Sequence, residues 1–262
     1  MTQASPSAVV VTAANHAALP RAQQVAETLG LPNTRDWRQS SAQLALIVDI
    51  DGASLQHICP NPPGPVAIDF AAPVMEHRRR GGQNELLARA VGVKLGRYPR
   101  VFDATAGLGR DGFVLADSGC RVTLCERSPV LAWLLQQAVE LGAISAIDHV
   151  RDASARMSVI AGDACQQSGL TGCVIYLDPM FPERRSQAAV KKDLAVLQVL
   201  HGGTPSDETD GESLLVWALQ QQTPRVVIKR PLKAPPLGGL KPAYQLKGKA
   251  VRFDVHVLGD LE

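Results

Sequence analysis

Four short segments hold residue types whose spacing could do chemistry. The first is Val101-Phe-Asp103-Ala-Thr-Ala-Gly107-Leu-Gly109-Arg110-Asp111-Gly112, where a short apolar run gives way to a helical pattern. Glycines at such a junction let the backbone turn sharply and leave room for a ligand. Gly107-x-Gly109-x-x-Gly112 taken alone is the dinucleotide fingerprint. Two acids argue for a different ligand. Asp103 stands in the strand end, four residues before the first glycine. Asp111 places a carboxylate in the first helical turn, where a pyrophosphate would need a free helix N-terminus. A carboxylate there suits a positively charged ligand, such as a sulfonium or an α-amino group, or else serves the helix dipole.

Glu126 closes the next strand, 23 residues after Asp103. An acid at that distance accepts hydrogen bonds from ribose hydroxyls, so it points to a nucleoside cofactor of either kind. Arg127 beside it is placed to pack over an adenine or to stay solvated. Gly162-Asp163-Ala164 follows a third strand, where a carboxylate can accept from an adenine amino group or simply close a turn.

The fourth segment, Tyr176-Leu-Asp178-Pro179-Met-Phe181-Pro182, says most about chemistry. An apolar strand runs directly into an acid and two prolines. Proline fixes φ and removes a donor, so Asp178 and neighbouring carbonyls can present acceptors to a cleft at the strand's C-terminal end. An exocyclic amine offers N–H groups to such acceptors, and Phe181 offers a face on which a base can stack.

These segments need a frame of alternating strands and helices. Strands are expected at Val101–Thr105, Arg121–Cys125, Met157–Ile160, Val174–Leu177, Arg225–Lys229 and Arg252–Leu258. Helices are expected between them, with one capped by Ser128-Pro129 and stopped by Gly142. This alternation predicts an α/β fold with a doubly wound, mostly parallel sheet. Its last strand pairs antiparallel through a hairpin around Lys247-Gly248-Lys249. Upstream, apolar runs at Ala8–Thr12 and Leu44–Val48 flank a helix at Pro20–Leu29, which indicates a small α/β lobe. Val66–Phe70 reads as a further strand, and a helix is expected from about Asn84 to Leu95. The organisation read from this pattern is a lobe at 1–72, a basic connecting segment and helix at 73–96, and a catalytic domain at 97–262.

Asp103-x-x-x-Gly107-x-Gly109 with Glu126 at the next strand tip resembles a class I, Rossmann-like S-adenosylmethionine-dependent methyltransferase. Asp178-Pro-Met-Phe-Pro182 is similar to the loop of amine-directed members. Asp103-Ala-Thr-Ala-Gly-Leu-Gly-Arg-Asp111, Tyr176-Leu-Asp-Pro-Met-Phe-Pro182, Val190-Lys-Lys192 and Val227-Ile-Lys-Arg-Pro231 occur in order. Together with Ile68-Asp-Phe70, His77-Arg-Arg79 and Arg252-Phe-Asp254, they resemble the RsmJ family, the ribosomal RNA small subunit methyltransferases J. The resemblance covers roughly residues 66–258. It implies methylation of N2 of one guanosine near the 3′ end of 16S rRNA, as naked RNA or within the small subunit. By motif position it puts cofactor contacts on Arg110, Asp111, Glu126, Arg127, Asp163, Ala164 and Asp178. Asp103, Gly107 and Gly109 complete the expected cofactor set, and Asp178, Pro179 and Phe181 the expected catalytic loop. Two departures stand out: the stretch after the basic run is Gly81-Gly-Gln-Asn-Glu85, and Asp163 stands where relatives carry serine.

The charge distribution suits a polyanionic partner or, equally, a solvated surface. The net charge over 262 residues is only +2, but residues 225–252 hold eight basic side chains and no acid. Arg78, Arg79, Arg80, Lys229, Arg230, Lys247 and Lys249 are the expected RNA contacts. No apolar run approaches the length that spans a bilayer, and the N-terminus does not read as a signal peptide, so a cytoplasmic location without membrane contact is expected. Five cysteines without a C-x-x-C pair read as buried thiols, and neither they nor the six scattered histidines suggest a metal. Two other readings follow from the same residues: a nicotinamide-dependent oxidoreductase, from the glycine fingerprint, and a non-catalytic RNA-binding protein on this fold. The first leaves Asp103 and Asp178 without a role, and the second leaves the Asp178 loop without one.

Overall fold

The computed structural model describes residues 8–79, 83–179, 188–202 and 208–261. The chain divides into two compact units, Met1–Ile68 with Glu183–Pro205, and Asp69–Pro182 with Ser206–Glu262.

The first unit contains β1 (Val9–Ala13), α1 (Leu19–Leu29), β2 (Leu44–Val48) and β3 (Ala53–His57). β1 and β2 pair in parallel, β2 and β3 antiparallel. Ala22, Val25 and Ala26 form the buried stripe of α1 at the i, i+3, i+4 spacing of an amphipathic helix. Pro stands in its first turn, and Gly30 ends it in the left-handed region at φ 63°. The strand expected at Val66–Phe70 does not form. Val66 makes an isolated bridge to Leu55, and Phe70 belongs to the other unit, where its ring stacks on Phe113 with centroids 4.8 Å apart.

The second unit begins with α2 (Pro73–Arg79) and α3 (Gln83–Val91). Alternation then sets in: β4 (Arg100–Asp103), α4 (Arg110–Asp117), β5 (Arg121–Glu126), α5 (Pro129–Ala143), α6 (Asp148–Ser154), β6 (Met157–Ala161) and β7 (Val174–Leu177). α7 (Ala188–Leu200) clusters with the first unit, where Lys192 Nζ donates to the Pro65 carbonyl at 2.8 Å. α8 (Glu208–Gln220), β8 (Arg225–Pro231), β9 (Tyr244–Lys247) and β10 (Val251–Val257) complete the second unit.

Its seven strands run in the order β6-β5-β4-β7-β8-β10-β9. The first five pair in parallel, and β10 is antiparallel to both β8 and β9. This is the expected doubly wound α/β sheet with its terminal hairpin. Each parallel strand is apolar because both faces are covered: Val174, Ile175, Tyr176 and Leu177 are fully buried, as are Val226, Val227 and Ile228. β4 has β5 on one side and β7 on the other, so the order reverses there. Ligands of open α/β sheets bind outside the strand ends at such a switch point. Asp103 ends β4 and Asp178 follows β7, so the topology brings together acids 75 positions apart.

Candidate active site

The glycine turn is built as its spacing requires. Gly107 and Gly109 both have positive φ, 54° and 70°, which side-chain-bearing residues rarely adopt. Gly109 is the N-cap of α4 and no side chain caps it. A Cβ on Gly109 would press on Leu135 and the Phe70 ring, and one on Gly112 would overlap Leu124 of β5. The third glycine therefore lets α4 lie close on the sheet, while the first two shape the turn.

Glu126 is 3% exposed. One carboxylate oxygen accepts from the Gly107 N–H at 3.0 Å and the other from the Ser128 N–H at 2.7 Å. It thus ties the glycine turn to the start of α5, which Ser128 caps through the Leu131 N–H. Arg127 lies next to it, half exposed, with Nη1 3.7 Å from Asp210. Asp163 accepts from the Cys165 N–H at 2.9 Å and caps a short 3-10 turn that begins at the buried Ala164. Arg110 opens α4, partly exposed.

Asp103 is 2% exposed and accepts from the Thr105 N–H at 3.0 Å and, at 3.4 Å, from its hydroxyl. Burial pushes its carboxyl up to about 8, against the Thr105 hydrogen bond and with the charges of Asp111 and Asp178 adding to the rise. Asp103 is therefore a protonated brace at neutral pH. Thr105 also accepts the Asp178 N–H at 2.7 Å, which fixes the main chain of the loop after β7 to the end of β4.

A charge cluster stands at the same strand ends. Lys229 Nζ lies 2.8 Å from Asp111 Oδ2 and 2.7 Å from Asp178 Oδ2. Asp111 also pairs with Arg78 of α2 and accepts from the Tyr176 hydroxyl at 2.8 Å. Burial alone would raise the Asp111 carboxyl, but Lys229 and Arg78 outweigh it and hold the group far below the usual carboxylate range. Burial with the Asp111 charge raises Tyr176 well above its ordinary value, so it stays a neutral donor.

Several residues expected on RNA have partners within the protein. Lys229 and Arg78, expected on RNA phosphates, are committed to Asp111, and Lys229 to Asp178 as well. Arg79 pairs with Asp117 of α4 at 2.7 Å. Arg230 is 1% exposed and donates to the Pro235 carbonyl at 2.8 Å, burial that does not fit a phosphate contact. The positive charge expected opposite Asp111 from a ligand is supplied by the protein itself. Lys247 and Lys249 are exposed on the β9–β10 hairpin, as a polyanion contact requires. Pro179 is buried directly after Asp178. Phe181 and Arg80 lie outside the described residues. Nothing in the sequence marks Thr105 or the Tyr176 hydroxyl for a role. Only the pairing of β7 with β4 reveals them, because it sets Thr105 beside the Asp178 amide.

The chemistry of these groups fits a nucleoside cofactor: a glycine turn at the end of β4, a buried acid closing β5, and an acid in the first turn of α4 where a pyrophosphate would need a free helix N-terminus. With this strand order, the site defines a class I methyltransferase. Comparison with known proteins agrees. A family model described as "Putative SAM-dependent methyltransferase" matches residues 24–258. Proteins named ribosomal RNA small subunit methyltransferase J are 43% identical in Pseudomonas aeruginosa strain UCBPP-PA14, over 90% of this chain and 89% of the relative. The one from Thioalkalivibrio sulfidiphilus is 44% identical over 91% of this chain and 93% of its own. A crystal structure of a SAM-dependent methyltransferase from Neisseria gonorrhoeae superposes with a TM-score of 0.71 at 30% identity, covering 95% of each chain.

The chain belongs to the family of S-adenosylmethionine-dependent methyltransferases that contains the ribosomal RNA small subunit methyltransferases J. The resemblance drawn from its motifs is thereby borne out. The nicotinamide and non-catalytic readings fall, since the matching family and relatives are methyltransferases.

Proposed function

We propose that this protein methylates the exocyclic N2 amine of a guanosine near the 3′ end of 16S rRNA, in the cytoplasm where that RNA is assembled. The observation that carries the reading is Asp178, a carboxylate held at the end of β7 by its own N–H on Thr105 and by Lys229 on Oδ2. Its place beside the strand-order reversal suits it to accept a hydrogen bond from a target amine. The names of the relatives support small-subunit rRNA as the acceptor. The described residues include no helix long and apolar enough to cross a membrane.

The residues divide the work. Gly107 and Gly109 leave room against the backbone, Glu126 is placed for the ribose, and Asp163 with Ala164 is placed for the adenine. Arg110 and Arg127 flank that path. When bound, S-adenosylmethionine supplies an electrophilic methyl group that leaves sulfur with its bonding pair behind as the amine nitrogen attacks, so the amine gains the methyl and loses one proton. Asp178 aims the amine lone pair, and the proton leaves after attack to Asp178 or water. Catalysis then comes mainly from positioning. Lys247 and Lys249 hold the RNA backbone.

The test is methyl transfer from labelled S-adenosylmethionine to 16S rRNA and small subunits from cells lacking this protein, with the product nucleoside mapped by mass. Label on the N2 of one guanosine is expected. Label elsewhere, or an unchanged methylation map in those cells, would overturn the reading.

A further inference from the structure

Lys229 was expected to touch RNA because it lies in a basic run. Its surroundings point elsewhere. β7 and β8 run in parallel, with Leu177 opposite Ile228, so the next position on each strand places Asp178 and Lys229 side by side at the strand ends. The lysine side chain is only 20% exposed, and its ammonium reaches both Asp111 and Asp178 within 2.8 Å. The other titratable groups around this centre are Arg78 of α2, Tyr176 of β7 and Asp103 of β4. Asp103 is protonated, Tyr176 is neutral and Arg78 serves Asp111. Among the described residues, Lys229 is thus the cation in direct contact with Asp178, and Asp111 is the like charge against which Asp178 must stay ionised.

We infer that Lys229 is the positioning residue of the catalytic loop: its ammonium pins Oδ2 of Asp178 beside the like charge of Asp111 and leaves Oδ1 to accept the N–H of the target amine. This rests on the role proposed for Asp178. Three observations support it. Thr105 holds the main chain of residue 178 and Lys229 its side chain, so the carboxylate is fixed at both ends. Among the described residues, no hydrogen bond reaches Oδ1. Burial and Asp111 push the Asp178 carboxyl up while Lys229 opposes them, and the two carboxylates keep Lys229 charged despite its own burial. A lysine with two carboxylates within hydrogen-bond distance is not available to a phosphate, so it serves RNA only through Asp178.

Lys229→Met keeps the length and removes the charge. Asp178 should then titrate higher, because the opposite charge that holds it down is gone. At neutral pH kcat should fall and recover as pH rises, by about a factor of ten for every pH unit by which the carboxyl titrates above the working pH. KM for RNA and its salt dependence should hold. Lys229→Met with Asp111→Asn removes cation and like charge together, so it should restore part of the neutral-pH rate. It is also the charge-balanced variant to read if the single one unfolds. Carboxyl-carbon NMR of Asp178 in the wild type and both variants follows the ionisation without any substrate. A wild type that methylates no guanine would sink the substrate reading alone, and the NMR titration would still decide the role of Lys229. An unmoved Asp178 titration, or a raised KM with a shallower salt dependence and unchanged kcat, would overturn the inference and return Lys229 to the RNA surface.

Discussion

Replacing Glu126 with glutamine separates two roles that the carboxylate holds at once. Glutamine has the same length but only one acceptor oxygen, and its NH2 must face a second donor. Glu126 accepts from Gly107 N–H and Ser128 N–H through different oxygens at 3% exposure, so one of these bonds must break inside the protein. A hydrogen bond to a charged acceptor contributes about 1.5–3 kcal/mol. In a domain of this size each kcal/mol moves Tm by about 2–4 °C, so the variant should melt about 3–12 °C lower. If the carboxylate also accepts from a ribose, the same energy appears in affinity, and the Kd for S-adenosylmethionine should rise about ten- to 150-fold. Scanning calorimetry and titration calorimetry on one preparation give both numbers. An unchanged Tm would refute the brace between the glycine turn and α5. A lowered Tm with an unchanged Kd would refute the ribose contact and leave Glu126 a purely structural acid.

Two further tests address charge. Lys247→Gln with Lys249→Gln should flatten the salt dependence of RNA binding by about 1.4 log units per log unit of salt, at about 0.7 per phosphate contact; Arg78→Gln, which strips Asp111 of a partner, should instead lower Tm and leave that slope alone. The reverse pattern in filter binding and melting would move the RNA contacts from the hairpin to α2. Asp103 carries its proton to about pH 8 in the folded chain but only to about pH 4 when unfolded. The folded state binds the extra proton in between, so this group's contribution to stability falls as pH rises from about 4 to about 8. Asp103→Asn should remove that fall, and urea midpoints with the same pH trend in both proteins would contradict it.

Much of the fold was legible because strands buried on both faces leave unbroken apolar runs, as in Val174–Leu177, and because Gly107, Gly109 and Ser128 act through their own backbone geometry. β3 escapes a sequence reading because Ala53-Ser-Leu-Gln-His57 alternates weakly, and α6 because seven residues are too few to show a period. α5 runs through Gly142, which sits against Ser154 of α6, so packing there overrides the stop signal. The acids of the site were visible as types at strand ends. Their partners were not, because Asp111, Asp178 and Lys229 meet only through strand order. The expectation that Lys229 and Arg230 both meet RNA conflicts with strand geometry itself. Side chains alternate along a strand, so the two point to opposite faces of β8.

β9 lies at the end of the seven-stranded sheet, paired with β10 on one side. An outer strand offers its unused backbone groups to any other strand, and proteins restrain such edges by keeping them short and charged. This one is four residues long, ends on Lys247 and turns through Gly248 to Lys249. The lysines proposed to grip RNA thus also deter stacking between copies of the chain. Their removal should lower solubility at high protein concentration even where the fold is intact, and bound RNA should shield the same edge.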